Sequence, residues 1–170
     1  MFMYLPQIDK KINKLVKLYQ TRNPFRIARE LKILVLEEDL GEIYGYYSKF
    51  KQIKMIHINS NLDEMGKWIT CSHELGHCVL HPNENTPMLS KKTLVSELKI
   101  EKEANYFATH LTIDPTLDGF DHMTKYEKLV CFGLPDEFDR YLWSIIQRKE
   151  DEDIDENRNE KTKYKKIYQR

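Results

Sequence analysis

Cys71-Ser72-His73-Glu74-Leu75-Gly76-His77-Cys78, continuing into Val79-Leu80-His81-Pro82, is the stretch that decides the fold. Residues advance about 100° around an α-helix, so His73 and His77 lie about 40° apart, one turn above each other. Both imidazoles can therefore reach one ion. Glu74 projects from the neighbouring side, where it would meet a water on that ion. Chance supplies only about 0.02 copies of His-Glu-x-x-His in a chain of this composition. The angular distribution sharpens the reading. With Cys71 at 0°, His73, Glu74, His77 and His81 fall between about 200° and 300°, while Trp68, Cys71, Leu75, Cys78 and Val79 fall between about −20° and 80°. One face is a core stripe and the other collects metal-ligand types. Zinc suits such a set, because it takes nitrogen and carboxylate ligands and lowers the pKa of its water. Glu74 then has the position of a general base.

Working outward, the helix starts behind a Ser60-Asn61 cap, carries Asp63 and Glu64 in its first turn, and ends at His81-Pro82. Upstream, Asp9 to Tyr19 has Ile12, Leu15, Val16 and Tyr19 at helical spacing. Asn23-Pro24 opens a short helix to about Leu31, with Asn as cap and Pro in the first turn. Ile33 to Leu36 is a buried-strand pattern, and Glu42 to Phe50 and Ile53 to Asn59 are two strand-like runs joined by a short polar turn. Downstream, a helix from about Ser96 stops at Thr112, before Pro115. Two more helices, about Thr124 to Phe132 and Pro135 to Arg148, close the domain. The expected class is α+β, a helix-rich domain with a small β-sheet in which the His-Glu-x-x-His helix packs beside a second ligand-bearing helix.

The composition narrows the partners. The 170 residues hold 27 basic and 27 acidic side chains, a net charge of zero, which removes the simplest argument for nucleic-acid binding. The longest aliphatic run, Ile33-Leu34-Val35-Leu36, is far below the roughly 20 residues that span a bilayer. No basic-then-apolar leader opens the sequence, so a soluble, cytoplasmic protein is expected. Three cysteines are an odd number. Cys71 and Cys78 fall on the apolar face of the motif helix, and Cys131 lies in Leu129-Val130-Cys131-Phe132, so all three read as reduced, buried core residues. Residues 1–148 make one domain. Residues 149–170 form a charged tail, acidic from Glu150 to Glu156 and basic after Arg158, read as frayed or disordered.

A catalytic zinc needs a third protein ligand, with its fourth position left for water. His81 shares the face, but three histidines on successive turns span about 12 Å of helix, too far for one ion. His81 is better read as a helix-terminal residue beside free carbonyls. The third ligand is then a carboxylate on the next helix, which carries Glu97, Glu101 and Glu103. Glu101 and Glu103 flank opposite edges of its apolar stripe (Ile100, Ala104, Phe107, Ala108, Leu111), and spacing alone does not choose between them. Small Ala104 and Ala108 would let the two helices approach closely.

The stretches His73-Glu-Leu-Gly-His77-Cys-Val-Leu-His-Pro82 and Glu103-Ala-Asn-Tyr-Phe-Ala108 resemble the two signature motifs of the ImmA/IrrE family of metallopeptidases, in its compact form from phages and mobile elements. The resemblance extends over about residues 8–148. It implies one catalytic zinc held by His73, His77 and Glu103, with Glu74 as catalytic base and Asn105 and Phe107 orienting and packing the ligand helix. Ser72 and His110 depart from the usual pattern without removing a ligand. The resemblance further implies a zinc endopeptidase that cuts a helix-turn-helix repressor at one site and so acts as an anti-repressor. A zinc-stabilised module that sequesters a regulator without cutting it, or belongs to a toxin–antitoxin-like pair, is the competing reading, and only the peptidase needs Glu74. An oxyanion partner is also expected, and Tyr106, His110 and His57 are chemically able. Spacing selects none of them.

Overall fold

Ile8, Ile12, Leu15, Val16 and Tyr19 recur at helical spacing and form the inner face of the first helix, α1 (Pro6–Tyr19). The computed structural model describes residues 5–84, 98–142 and 145–146. Pro6 sits in the first turn, where a missing N–H costs nothing, so α1 begins three residues before the expected Asp9. Full burial of Ile8 and Ile12 contributes roughly 1.5–3 kcal/mol each. Asn23 caps α2 (Pro24–Glu30), its side-chain oxygen accepting from the Arg26 N–H at 3.1 Å.

Three strands follow, β1 (Leu34–Glu38), β2 (Gly45–Phe50) and β3 (Ile53–Asn59), in spatial order β1-β3-β2. The central β3 runs parallel to β1 and antiparallel to β2, with Leu36, His57 and Tyr46 in one row and Val35, Ile56 and Tyr47 in the next. Side chains alternate between faces. Tyr47, Ile56 and Ile58 enter the core, whereas Leu34, Leu36, Phe50 and Ile53 lie on the other face and are exposed. The buried strand expected at Ile33–Leu36 is therefore an edge strand that begins one residue later and ends two later, with Ile33, just before it, in the core and Val35 half-buried against it. An aliphatic run cannot report that its sheet is covered on one side.

The motif helix is α3 (Glu64–Leu80). Its cap is Asp63 rather than Ser60-Asn61: the Asp63 carboxylate accepts from Gly66 N–H at 2.7 Å, and Asn59 takes up the preceding turn by accepting from Asn61 N–H. Cys71, Leu75 and Cys78 face inward and are fully buried. The next helix is α4 (Lys99–Thr112). It runs antiparallel to α3, with Thr112 beside Ser72 and Glu103 beside His81. The two backbones meet at Gly76, where a Cβ would stand 3.2 Å from Phe107 and 3.3 Å from the Cα of Ala104. Glu97 lies outside the described residues.

Arg22, between α1 and α2, closes the far end of α4. Its guanidinium donates to the carbonyls of His110 (3.0 Å), Leu111 (3.3 Å) and Ile113 (2.9 Å), acceptors that a helix end leaves open. Thr124 and Glu127 form a capping box on α5 (Lys125–Cys131). Only Leu129 of the Leu129–Phe132 run is fully buried, and Cys131 is exposed, contrary to the expected core position. In place of one helix from Pro135, a 3₁₀ turn at Asp136–Phe138 leads into helical residues 139–142. Phe138, Tyr141, Leu142 and Ile145 complete the core. The segment 149–170 lies outside the described residues. Among those described, no helix is long and apolar enough to cross a membrane.

Gly45 marks where the sheet touches α3: a Cβ there would lie 2.5 Å from both the His57 carbonyl oxygen and Thr70 Cγ2. Gly45→Ala is expected to destabilise the fold by about 1–3 kcal/mol through this overpacking, measured as a lower urea midpoint with an unchanged slope.

Candidate metal centre

His73, Glu74 and His77 all lie on α3 and are buried, and the two histidines meet α4. Helical stacking brings His73 Nε2 within 3.0 Å of His77 Nε2. The carboxylate that meets them is Glu101, fully buried on the first turn of α4: its Oε2 is 3.4 Å from His73 Nε2 and its Oε1 is 3.3 Å from His77 Nε2. Among the described residues, these three are the group whose ligand atoms lie within 4.8 Å of one another.

The spacing itself carries chemical information. Ligands held at 2.0–2.1 Å on a tetrahedral zinc stand about 3.3 Å apart; the two imidazole nitrogens are 3.0 Å apart, and each meets a different oxygen of the Glu101 carboxylate, at 3.4 Å from His73 and 3.3 Å from His77. Two imidazole nitrogens and a carboxylate at such distances fit a zinc site. A supporting contact sets one tautomer: His73 Nδ1 lies 2.8 Å from Asn105 Oδ1. An amide oxygen only accepts, so Nδ1 carries the proton and Nε2 turns its lone pair toward His77 and Glu101.

The charges are coupled. Burial alone would raise the Glu101 carboxyl, but the contacts with His73 and His77 outweigh it and bring the group down to about 2. Burial lowers His77 to about 4, with the Glu101 contact opposing. For His73 the same burial effect is overcome by Glu101, Glu74 and Asn105, and the ring is raised. Burial pushes the thiols of Cys71 and Cys78 up, which suits inert core thiols rather than thiolate ligands.

Glu103, the carboxylate expected as third ligand, is not brought to the histidine pair. Its Oε2 lies 3.1 Å from His81 Nε2 and its Oε1 3.7 Å from Lys99 Nζ. The reason is angular. Two residues turn a helix by about 200°, so Glu101 and Glu103 cannot serve the same point, and Glu101 shares its side of α4 with Asn105. That is the signal missed in the sequence: Glu101 and Asn105 are i and i+4, and with Thr112 they make a row of small or polar side chains facing α3. His81 closes α3 as its C-cap, but its ring pairs with Glu103.

The three oxyanion candidates all lie in other contacts. Tyr106 donates to Asp9 Oδ2 at 3.0 Å, and His110 Nδ1 is 2.8 Å from Asp9 Oδ1, both deep between α1 and α4. His57 sits on the exposed face of the sheet, between Glu38 Oε2 (2.8 Å) and Ser48 Oγ (3.1 Å), with Tyr46 stacked on it.

A histidine-bearing helix and a carboxylate-bearing helix packed beside a small mixed sheet define the zincin-like class of metallopeptidase domains. Residues 28–117 match the peptidase M78 family model, described as the IrrE N-terminal-like domain. A protein of Bacillus phage phi105 named uncharacterized immunity region protein 2 is 44% identical over 107 residues, 62% of this chain and 68% of the relative. The metallopeptidase ImmA of Bacillus subtilis (strain 168) is 33% identical over 149 residues, 82% of this chain and 85% of the relative. The chain belongs to the ImmA/IrrE family of metallopeptidases. No solved structure gives a significant match.

Asn105→Ala would leave the buried His73 Nδ1–H without its acceptor. It is expected to cost about 1–3 kcal/mol, measured by urea denaturation of chelator-treated protein.

Proposed function

We propose that this chain is a zinc-dependent endopeptidase that cleaves a helix-turn-helix repressor at one site, and so acts in the cytoplasm as the anti-repressor of a phage or mobile element. The observation that carries the reading is the buried triangle of His73, His77 and Glu101, with Glu74 one residue from the first ligand. Glu101 takes the ligand role in place of Glu103. The immunity-region name of the phage relative and the metallopeptidase name of the bacterial one favour a regulatory peptidase. A repressor is the kind of substrate that an immunity function supplies. Residues 1–148 constitute the catalytic domain in this reading, with 149–170 as an appended charged tail.

Zinc bound there would supply Lewis acidity toward the scissile carbonyl and a water whose pKa is near 7. The protein does the rest. His73, held by Asn105, presents Nε2 in one orientation, and Glu101 and His77 complete the donor set. Glu74 takes the proton of the attacking water and passes it to the leaving amine, the carboxylate acting first as base and then as acid. The substrate backbone has a ready partner in β2. The outer edge of this strand faces away from β3, and an extended peptide can pair with such an edge.

Two variants divide the chemistry. Glu101→Gln is expected to lose stoichiometric zinc, read by elemental analysis after gel filtration. Glu74→Gln should keep the zinc and lower cleavage of a helix-turn-helix repressor substrate by at least about 10²-fold. Relief of repression by Glu74→Gln with the repressor still full length would instead establish sequestration without cutting.

A further inference from the structure

Glu101 stands at the third position of α4, in a first turn that begins after Leu98 with no side-chain cap. The first N–H groups of a helix lack intrahelical partners, and the first turn is where helices fray. A ligand in such a turn is poorly held by its own helix. The same problem arises at the facing end of α3, which terminates at His81, four residues after His77. Each ligand helix thus ends within a turn or so of its ligand, and the two loose ends lie side by side.

One polar contact bridges them. His81 Nε2 and Glu103 Oε2 are 3.1 Å apart, with side chains only 13% and 15% exposed. The His81 ring centroid is 6.1 Å from that of His77, so the contact lies on the ligand face of α3 without entering the ligand triangle. The His81 N–H also donates to the His77 carbonyl at 2.7 Å, which ties the position of His81 to the ligand turn. On α4, Glu103 follows Glu101 by two residues, immediately after the first turn.

We propose that the His81–Glu103 contact is a positioning clamp: it pins the first turn of α4 to the last turn of α3 and so keeps Glu101 within reach of His73 and His77. The inference rests on the reading of those three residues as the metal-binding set. It assigns work to two side chains that bind no metal themselves. The rest of α4 is held elsewhere, by Asn105 on His73, by Phe107 against Gly76 and by Arg22 at the far end. The clamp acts at the turn that carries the ligand.

The test uses the full chain and zinc itself. Dissociation constants are measured by competition with a colorimetric chelator for the wild type, Glu103→Gln, His81→Gln and the double variant, and amide hydrogen exchange is followed over residues 99–103 of the metal-free proteins. Each single variant is expected to weaken zinc binding by about 10–100-fold and to speed exchange in that turn. The double variant should be no weaker than the poorer single, because the two side chains act as one unit. Glu103→Asp, which retains a carboxylate, should recover part of the loss. Unchanged affinity in either single variant overturns the clamp. So does complete loss of zinc by Glu103→Gln at the level of Glu101→Gln, since Glu103 would then be a ligand. Failure of the wild-type chain to bind zinc is a different result: it removes the metal reading first, and the clamp with it.

Discussion

The structure depends on one carboxylate from α4 reaching two imidazoles on α3. Side chains are short, so this condition dictates how closely the helices approach. At the closest point α3 has Gly76 and α4 has Ala104, and a single added methyl on Gly76 would press into Phe107 and the α4 backbone. Helix axes normally stand 8–10 Å apart, according to the side chains between them. The ligands lie to one side of the crossing, where side chains of ordinary length can converge.

Burial then turns proximity into chemistry. A carboxylate without solvent would ordinarily prefer its proton, yet Glu101 is held ionised by two imidazoles that are themselves buried. Three buried polar side chains, two imidazole nitrogens 3.0 Å apart and a carboxylate whose oxygens lie 3.3–3.4 Å from them, are costly unless something satisfies them. A divalent cation would do so, and the desolvation already incurred on folding would favour its binding. The fold and the site are therefore one problem: α3 and α4 come together on a hydrophobic stripe, and that packing strips water from the ligands.

Much of this was legible in the sequence because it is periodic. The angular separation of Cys71, Leu75 and Cys78 from His73 and His77 follows from 100° per residue, and the structure repeats it. The helix cap at Asn23, which rests on local chemistry, was legible too. What was not legible depends on the partner rather than the period. Glu101 and Glu103 are equally placed beside the apolar stripe of α4, and only the side on which α3 docks separates them. The resemblance to a known motif pointed to Glu103 because that residue opens the most recognisable run, Glu-Ala-Asn-Tyr-Phe-Ala. Likewise Leu34 and Leu36 have the composition of a buried strand, and only the one-sided covering of the sheet exposes them. Cys131 and Val130 follow the same rule on α5.

The N-terminal segment illustrates the partner dependence most fully. Taken alone, α1 and α2 are two short helices joined by a turn, a pattern with several meanings. In the fold they are fastened to the ligand helix. Asp9 receives the Tyr106 hydroxyl and lies 2.8 Å from His110, while Arg22 gathers three carbonyls at the end of α4. Tyr106 and His110 had the chemistry to serve the reaction directly, but Asp9 holds both on the side of α4 away from α3. Breaking such a buried set by removing one member leaves the others unsatisfied, which is typically worth several kcal/mol. α1 lies outside residues 28–117, where the family model matches, yet its polar contacts end on the same helix that supplies Glu101. The helix bearing the third ligand is thus held from both sides, by α3 through the site and by α1 through a buried network. Its first turn is secured from the α3 side, through Glu101 and the His81–Glu103 contact.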